Sequence, residues 1–154
     1  SACIPANPGC MDSTATNYSA AFNQDCTFNG SANPNDCCCY TCGVPTFDAT
    51  NPVVVNTWND PSSPAYATQI TFNFAAVSTA ASYVIFVDNG STMIMPVVSP
   101  TISNGIVSYT FNTTLATFQN ESTYNFTVRA ICKNNDGDPC GQSDSADINI
   151  LLQN

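Results

Sequence analysis

The nine cysteines are the residues whose type and spacing admit chemistry, and they are unevenly placed. Cys3, Cys10, Cys26, Cys37, Cys38, Cys39 and Cys42 crowd the first part of the chain, and only Cys132 and Cys140 follow. Thiols at this density cross-link, bind a soft metal or exchange electrons. The segment carrying the first seven has few large apolar side chains besides Tyr18, Phe22, Phe28 and Tyr40, so it cannot fold on burial alone and needs cross-links. Disulfides are the expectation. Pairing among the N-terminal cysteines stays open, because sequence does not choose among the many connectivities. Cys132 and Cys140 are expected to pair with each other and pin a turn between two strands. The rival is zinc, held by Cys37, Cys38, Cys39 and Cys42: Cys39 and Cys42 form a C-x-x-C pair with two thiols beside it, although a second knuckle and any histidine are missing. A thioredoxin-like role for Cys39 and Cys42 would need a βαβ setting that the pattern lacks. The count is odd, so at least one thiol stays free, as a small hydrophobe, or pairs between chains.

Other chemistry is thinly supplied. The chain has no histidine, one glutamate (Glu121) and two basic residues, Arg129 and Lys133, so acid–base and nucleophilic catalysis lack their usual groups and no enzyme is expected. The loop from Cys132 to Cys140 concentrates oxygen ligands and has the look of a calcium loop. Aligning Gly137 with the glycine of an EF-hand, however, puts Cys132 where an aspartate is required. No cofactor is expected. Sequons at Asn17, Asn29, Asn89, Asn112, Asn120 and Asn125 are what an Asn-, Ser- and Thr-rich composition produces.

The elements that must position these residues are strands. Ile70, Phe72 and Phe74 alternate with polar residues, as do Tyr83, Ile85 and Val87, then Val107, Tyr109 and Phe111, then Tyr124, Phe126, Val128 and Ala130, and finally Ala146, Ile148 and Ile150. Asn89-Gly90 predicts a hairpin turn, and Pro96 makes residues 92–98 an edge strand. An all-β sandwich of about seven strands follows. Residues 1–43 are expected as a cysteine-rich cap and residues 44–154 as the sandwich, joined at Gly43-Val44-Pro45-Thr46.

Hydrophobic residues are 44% of the 154, enough for a core, whereas charged residues are only 8% and the formal net charge is -9. With two cations no basic patch can form, which excludes nucleic acid as a partner and argues against an anionic membrane surface. No run of about 18 apolar residues exists, so no membrane insertion is expected. The first residues do not look like a signal peptide, and Ser1-Ala2-Cys3 fits an initiator methionine trimmed before serine.

Gly9-Cys10-Met11-Asp12-Ser13-Thr14-Ala15-Thr16-Asn17-Tyr18 resembles a short motif, G-C-x-D-x-x-A-x-N-Y, that recurs in secreted surface proteins of Bacteroidetes and in structural proteins of marine phages. The acidic D-D-G-S-C segment that usually follows is replaced by Asn23-Gln24-Asp25-Cys26 and Asn35-Asp36-Cys37, so metal binding does not carry over. Residues 44–152 resemble a fibronectin type III domain. Phe118-x-Asn120-x-Ser122-x-Tyr124 matches the corner before its strand F, Tyr83-x-Ile85-x-Val87 matches its strand C, and Phe72 or Phe74 stands where a strand-B tryptophan is usual, with Trp58 falling earlier. Together these resemblances imply an extracellular setting, on a virion surface or as a secreted or cell-surface protein. The first expectation is a structural or decoration module of a phage particle, partnered by other subunits or by copies of itself. The second is a bacterial adhesion or filament module, which would meet a surface glycan or a protein through the loops at residues 77–80 and 132–140, or through Trp58, Tyr66, Met93 or Met95. An accessory domain of a larger extracellular enzyme is the third.

Overall fold

Successive side chains leave a strand on opposite faces, so a run that buries every second residue is committed to one face of a sheet. In the computed structural model, which describes residues 2–88, 92–113 and 117–154, that rule builds an all-β fold. The strands are β1 (Val53–Trp58), β2 (Tyr66–Ala75), β3 (Ala80–Asp88), β4 (Thr92–Pro96), β5 (Thr101–Ser103), β6 (Ile106–Asn112), β7 (Phe118–Gln119), β8 (Ser122–Lys133), β9 (Pro139–Gln142) and β10 (Ala146–Leu152). The helical content among the described residues is a single 3-10 turn, Cys26–Asn29.

The strands form two antiparallel sheets. One has the order β1-β2-β6-β5, with β7 also on β2; the other has the order β10-β8-β3-β4, with β9 also on β8. The chain divides into two compact units, one of Ser1–Gly43, Ser78–Ser82 and Ala130–Ser143, the other of Val44–Val77, Tyr83–Arg129 and Asp144–Asn154.

The core of the second unit is aromatic. Phe72 of β2 and Phe126 of β8 are both fully buried and meet edge to face at 5.2 Å between ring centroids. Phe74 meets Tyr83 at 4.9 Å, and Phe118 meets Tyr124 at 5.5 Å. Offset and edge-on aromatic pairs add about 0.5–1.5 kcal/mol beyond the area they bury. Phe72 and Phe74 of β2 are both fully buried, whereas Trp58 at the end of β1 is half-buried. Tyr124 also turns the corner into β8: its hydroxyl accepts the Gln119 N–H at 2.7 Å and donates to the Thr117 carbonyl at 3.0 Å.

The outer faces explain the shortage of charge. Across β2 and β6, Gln69 donates to Asn112 at 2.8 Å, Thr71 and Thr110 share a hydrogen bond of 2.9 Å, and Ser108 donates to Asn73 at 2.7 Å. Neutral cross-strand pairs of this kind supply the lateral polar contacts that Lys–Glu pairs supply elsewhere.

The expected runs lie on β2, β3, β4, β6, β8 and β10, and β4 is an edge strand ending at Pro96. The Asn89-Gly90 turn lies outside the described residues. A different Asn-Gly pair closes a described hairpin: Asn104 and Gly105 both have positive φ (52° and 75°) between paired Ser103 and Ile106, as a type I′ turn requires. β1, β5, β7 and β9 were not foreseen. The last three are short, and the β1–β2 register shifts after Val55, so the Val53–Val55 run carries no clean alternation.

Phe126→Ala is expected to cost about 3–5 kcal/mol of unfolding free energy by the cavity it leaves. Tyr124→Phe should cost about 1–3 kcal/mol by removing the corner's hydrogen bonds. Denaturant titration of both variants with disulfides intact checks the pair, and a Tyr124→Phe protein as stable as wild type would remove the corner from the account.

Candidate functional site

The cross-linked unit is where the chain's distinctive chemistry is concentrated. Four disulfides join Cys10 to Cys38, Cys26 to Cys37, Cys39 to Cys140 and Cys42 to Cys132. Cys3 is the free cysteine among the described residues, and it is exposed. Buried Cys10, Cys26 and Cys38 with Ala15 make up the unit's small core, packed against Cys37, so sulfur supplies most of the apolar interior.

One sequence expectation is corrected here. Cys132 and Cys140 do not pair with each other. In the β8–β9 hairpin Cys132 lies opposite Gly141 and Lys133 opposite Pro139, which leaves Cys140 as the extra residue of a bulge. A bulge re-aims its side chain, and Cys140 reaches Cys39 while Cys132 reaches Cys42. The four zinc candidates Cys37, Cys38, Cys39 and Cys42 sit in four different disulfides, so no thiolate among them is left for a metal, and the C-x-x-C pair is two separate anchors instead of a redox couple.

The Gly9–Tyr18 motif owes its residue types to local structure. Gly9 donates its N–H to the Gln24 carbonyl at 2.9 Å, and a Cβ there would meet the Phe22 ring at 2.5 Å, so a larger residue would require that ring to move. Asp12 accepts from the Thr14 N–H at 2.9 Å, the Thr14 hydroxyl at 2.7 Å and the Tyr40 hydroxyl at 2.7 Å. Ala15 is buried against the sulfurs. Asn17 works as a substitute strand, accepting the Cys39 N–H at 2.8 Å and donating to the Cys37 carbonyl at 3.0 Å. Thr16 donates both its N–H and its hydroxyl to the Cys39 carbonyl, at 2.8 and 2.9 Å. The motif is therefore a clamp on the Cys37-Cys38-Cys39 run.

Aspartates act here as turn formers. Asp25 accepts from the Thr27 N–H and hydroxyl and caps the 3-10 turn, Asp48 accepts from the N–H groups of Thr50 and Asn51, and Asp60 accepts from that of Ser62. Hydrogen bonds from Tyr40 and Thr14 hold the Asp12 carboxyl below its ordinary range, and those from Asn51 and Thr50 do the same for Asp48.

The loops expected to stay free for recognition belong to this same unit. Lys133 donates its N–H to the Thr79 carbonyl at 3.0 Å, Asn135 to the Asp36 carbonyl at 3.1 Å, and the Ser31 hydroxyl reaches Asp136 at 2.7 Å. The calcium-like segment is a tight turn in which Asn134 Oδ1 accepts the Asp138 N–H at 2.9 Å. Of the stacking candidates, Met95 is buried, and Trp58, Tyr66 and Met93 are half-buried. Asn17, Asn112, Asn120 and Asn125 have their side chains in hydrogen bonds, Asn29 is exposed in the 3-10 turn, and Asn89 lies outside the described residues.

Four disulfides fit an extracellular setting, and no helix among the described residues is long and apolar enough to cross a membrane. No family model, curated protein or solved structure matches the chain.

Two predictions follow from the cross-links and their clamp. While Cys42–Cys132 is intact, the ring closed by Cys39–Cys140 is short, so losing either bond alone opens a short ring, whereas losing both releases a loop with a sequence separation of 90. The variant with all four cysteines replaced by Ala should lose about 2 kcal/mol more than the sum of the two paired variants, by loop entropy. Additive losses in chemical denaturation would overturn this. Because the folded pKa of Asp12 lies below its unfolded value of 3.8, its contribution is present above that value and lost as pH falls through the folded one. Asp12→Asn should therefore melt with a shallower acid limb than wild type below about pH 4.

Proposed function

We propose that the protein is a non-enzymatic structural or decoration module of an extracellular assembly, most specifically a phage virion surface protein. The observation that carries this reading is the disulfide set, which fastens Cys39 and Cys42 to the β8–β9 hairpin across sequence separations of 101 and 90. Such bonds suit a module that meets oxidising conditions and must not unravel there. Four of the aspartates, Asp12, Asp25, Asp48 and Asp60, close turns, which favours a structural use of these carboxylates.

The sandwich supports an immunoglobulin-like reading, and within it the fibronectin type III resemblance. Naming β1, β2, β3, β4, β5, β6, β8 and β10 as A, B, C, C′, D, E, F and G gives sheets A-B-E-D and G-F-C-C′. The tyrosine that hydrogen-bonds back to the chain before strand F is the second mark of that class. Such domains serve as spacers and packing units. Here edge strands β4 and β5, with the connection between them, carry exposed Ile94, Val98 and Ile102, which favours lateral contact with other subunits or copies.

Fractionating the producing culture on a density gradient and locating the chain by non-reducing mass spectrometry tests the proposal. Co-migration with nucleic-acid-containing particles, with the eight paired thiols blocked, is the expected result. Migration with cells or with nucleic-acid-free filaments would replace the virion reading by that of an adhesion or filament module.

A further inference from the structure

The chain's single arginine is placed at an unusual spot. Asn125, Thr127 and Arg129 alternate along β8 and so share its outer face. With Phe86 and Asp88 of β3, Thr92 of β4, Ser145 and Asp147 of β10 they line an open concavity of about 340 Å³, at the small end of ligand-site volumes. The Arg129 guanidinium lies over the Phe86 ring at 5.4 Å from its centroid. Its Nε is buried and has no hydrogen-bond acceptor among the described residues. A buried donor without a partner carries a desolvation cost in the free protein.

We propose that this concavity is a binding site for a neutral saccharide. The lining holds an acceptor-only pair of carboxylates (Asp88, Asp147), a donor-only guanidinium (Arg129), and an amide and hydroxyls that do both (Asn125, Thr92, Thr127, Ser145). An anion would be drawn to Arg129 but face two carboxylates on a chain of net charge -9, and a cation would be drawn to the carboxylates but face Arg129. A ligand dense in hydroxyls, each both donor and acceptor, and without net charge meets donors and acceptors alike and faces no like charge. Part of the site is set in advance: the Thr127 hydroxyl donates to Asp147 at 2.9 Å, and Asn125 donates to Asn149 at 3.1 Å. The site is on the sheet's outer face and is made mainly by strand residues instead of the loops from which recognition was expected. It does not rest on the chain's place in any assembly, since a particle surface and a cell surface would both expose a sheet face.

The test probes the full, disulfide-intact chain with arrays of neutral, acidic (uronic, sialylated or sulfated) and amino glycans, followed by NMR titration of the neutral hits. Neutral glycans should bind, and Arg129→Gln should weaken binding about ten- to a hundredfold by loss of a charge-assisted hydrogen bond. Thr92→Trp, at an exposed edge position, fills the concavity without touching the core and should weaken binding similarly while the melting temperature holds. Weakening by either variant with a native melt supports the site. Binding confined to acidic or amino glycans, binding of none of the arrayed glycans, or neutral binding unchanged in both variants overturns it.

Discussion

The segment before the sandwich cannot bury enough apolar surface to offset the entropy of ordering it, and the rest of its design answers that deficit. Its interior is sulfur: Cys10, Cys26 and Cys38 with one alanine, in a space where larger domains place Leu and Phe. A disulfide contributes chiefly by restricting the unfolded chain, so it needs little volume and suits a segment with few large side chains. The consecutive residues Cys37, Cys38 and Cys39 send their bonds to Cys26, Cys10 and Cys140, and no two of them restrain the same pair of segments. That geometry requires the backbone of the run to be held rigidly. Asn17 and Thr16 do so by hydrogen-bonding the Cys37 and Cys39 backbone on one side.

The sandwich solves the same problem by burial, with Phe72, Phe74, Phe118 and Phe126 fully enclosed. The two units nonetheless treat polar residues alike. Carboxylates close turns, and amides and hydroxyls pair across strands, so ionised groups are rarely needed for lateral contact. Neutral pairs of this kind are less sensitive to salt than ion pairs, because screening acts on charge. The remaining net charge of -9 then acts mainly as a long-range repulsion toward polyanions.

The sandwich was legible in the sequence because its signals are local. Period-2 alternation marks β2, β3, β6, β8 and β10, and Pro96 marks an edge. The spacing from Phe118 to Tyr124 announces a corner whose hydrogen bonds are present. The cysteine partners were not legible, since they depend on register. One extra residue, Cys140 between the paired Pro139 and Gly141, sends its sulfur to Cys39 instead of Cys132, and nothing in the local composition of that turn reveals a bulge. The role of Asn17 was hidden for the same reason: its partners are about twenty positions away. Asn104-Gly105 is a different case, because it carries the same local dipeptide signal as Asn89-Gly90 and closes a hairpin.

Arg129 brings these threads to one place. Cross-strand contacts on β2 and β6 come from neutral groups, and a solvated outer face of β8 could be built the same way, as Asn125 and Thr127 already show. A half-buried guanidinium adds side-chain ordering and an Nε without an acceptor among the described residues, both unfavourable, and stacking on Phe86 acts against that cost. Arginine is also the side chain whose planar fork best fixes the direction of oxygen ligands. A position that costs stability in the free protein, beside carboxylates and an amide in a concave setting, is more economically explained by what it holds than by what it supports. On the proposed reading the stability of the fold and its recognition chemistry are separated: disulfides and aromatic burial secure the chain, and the outer face of β8 carries the proposed site.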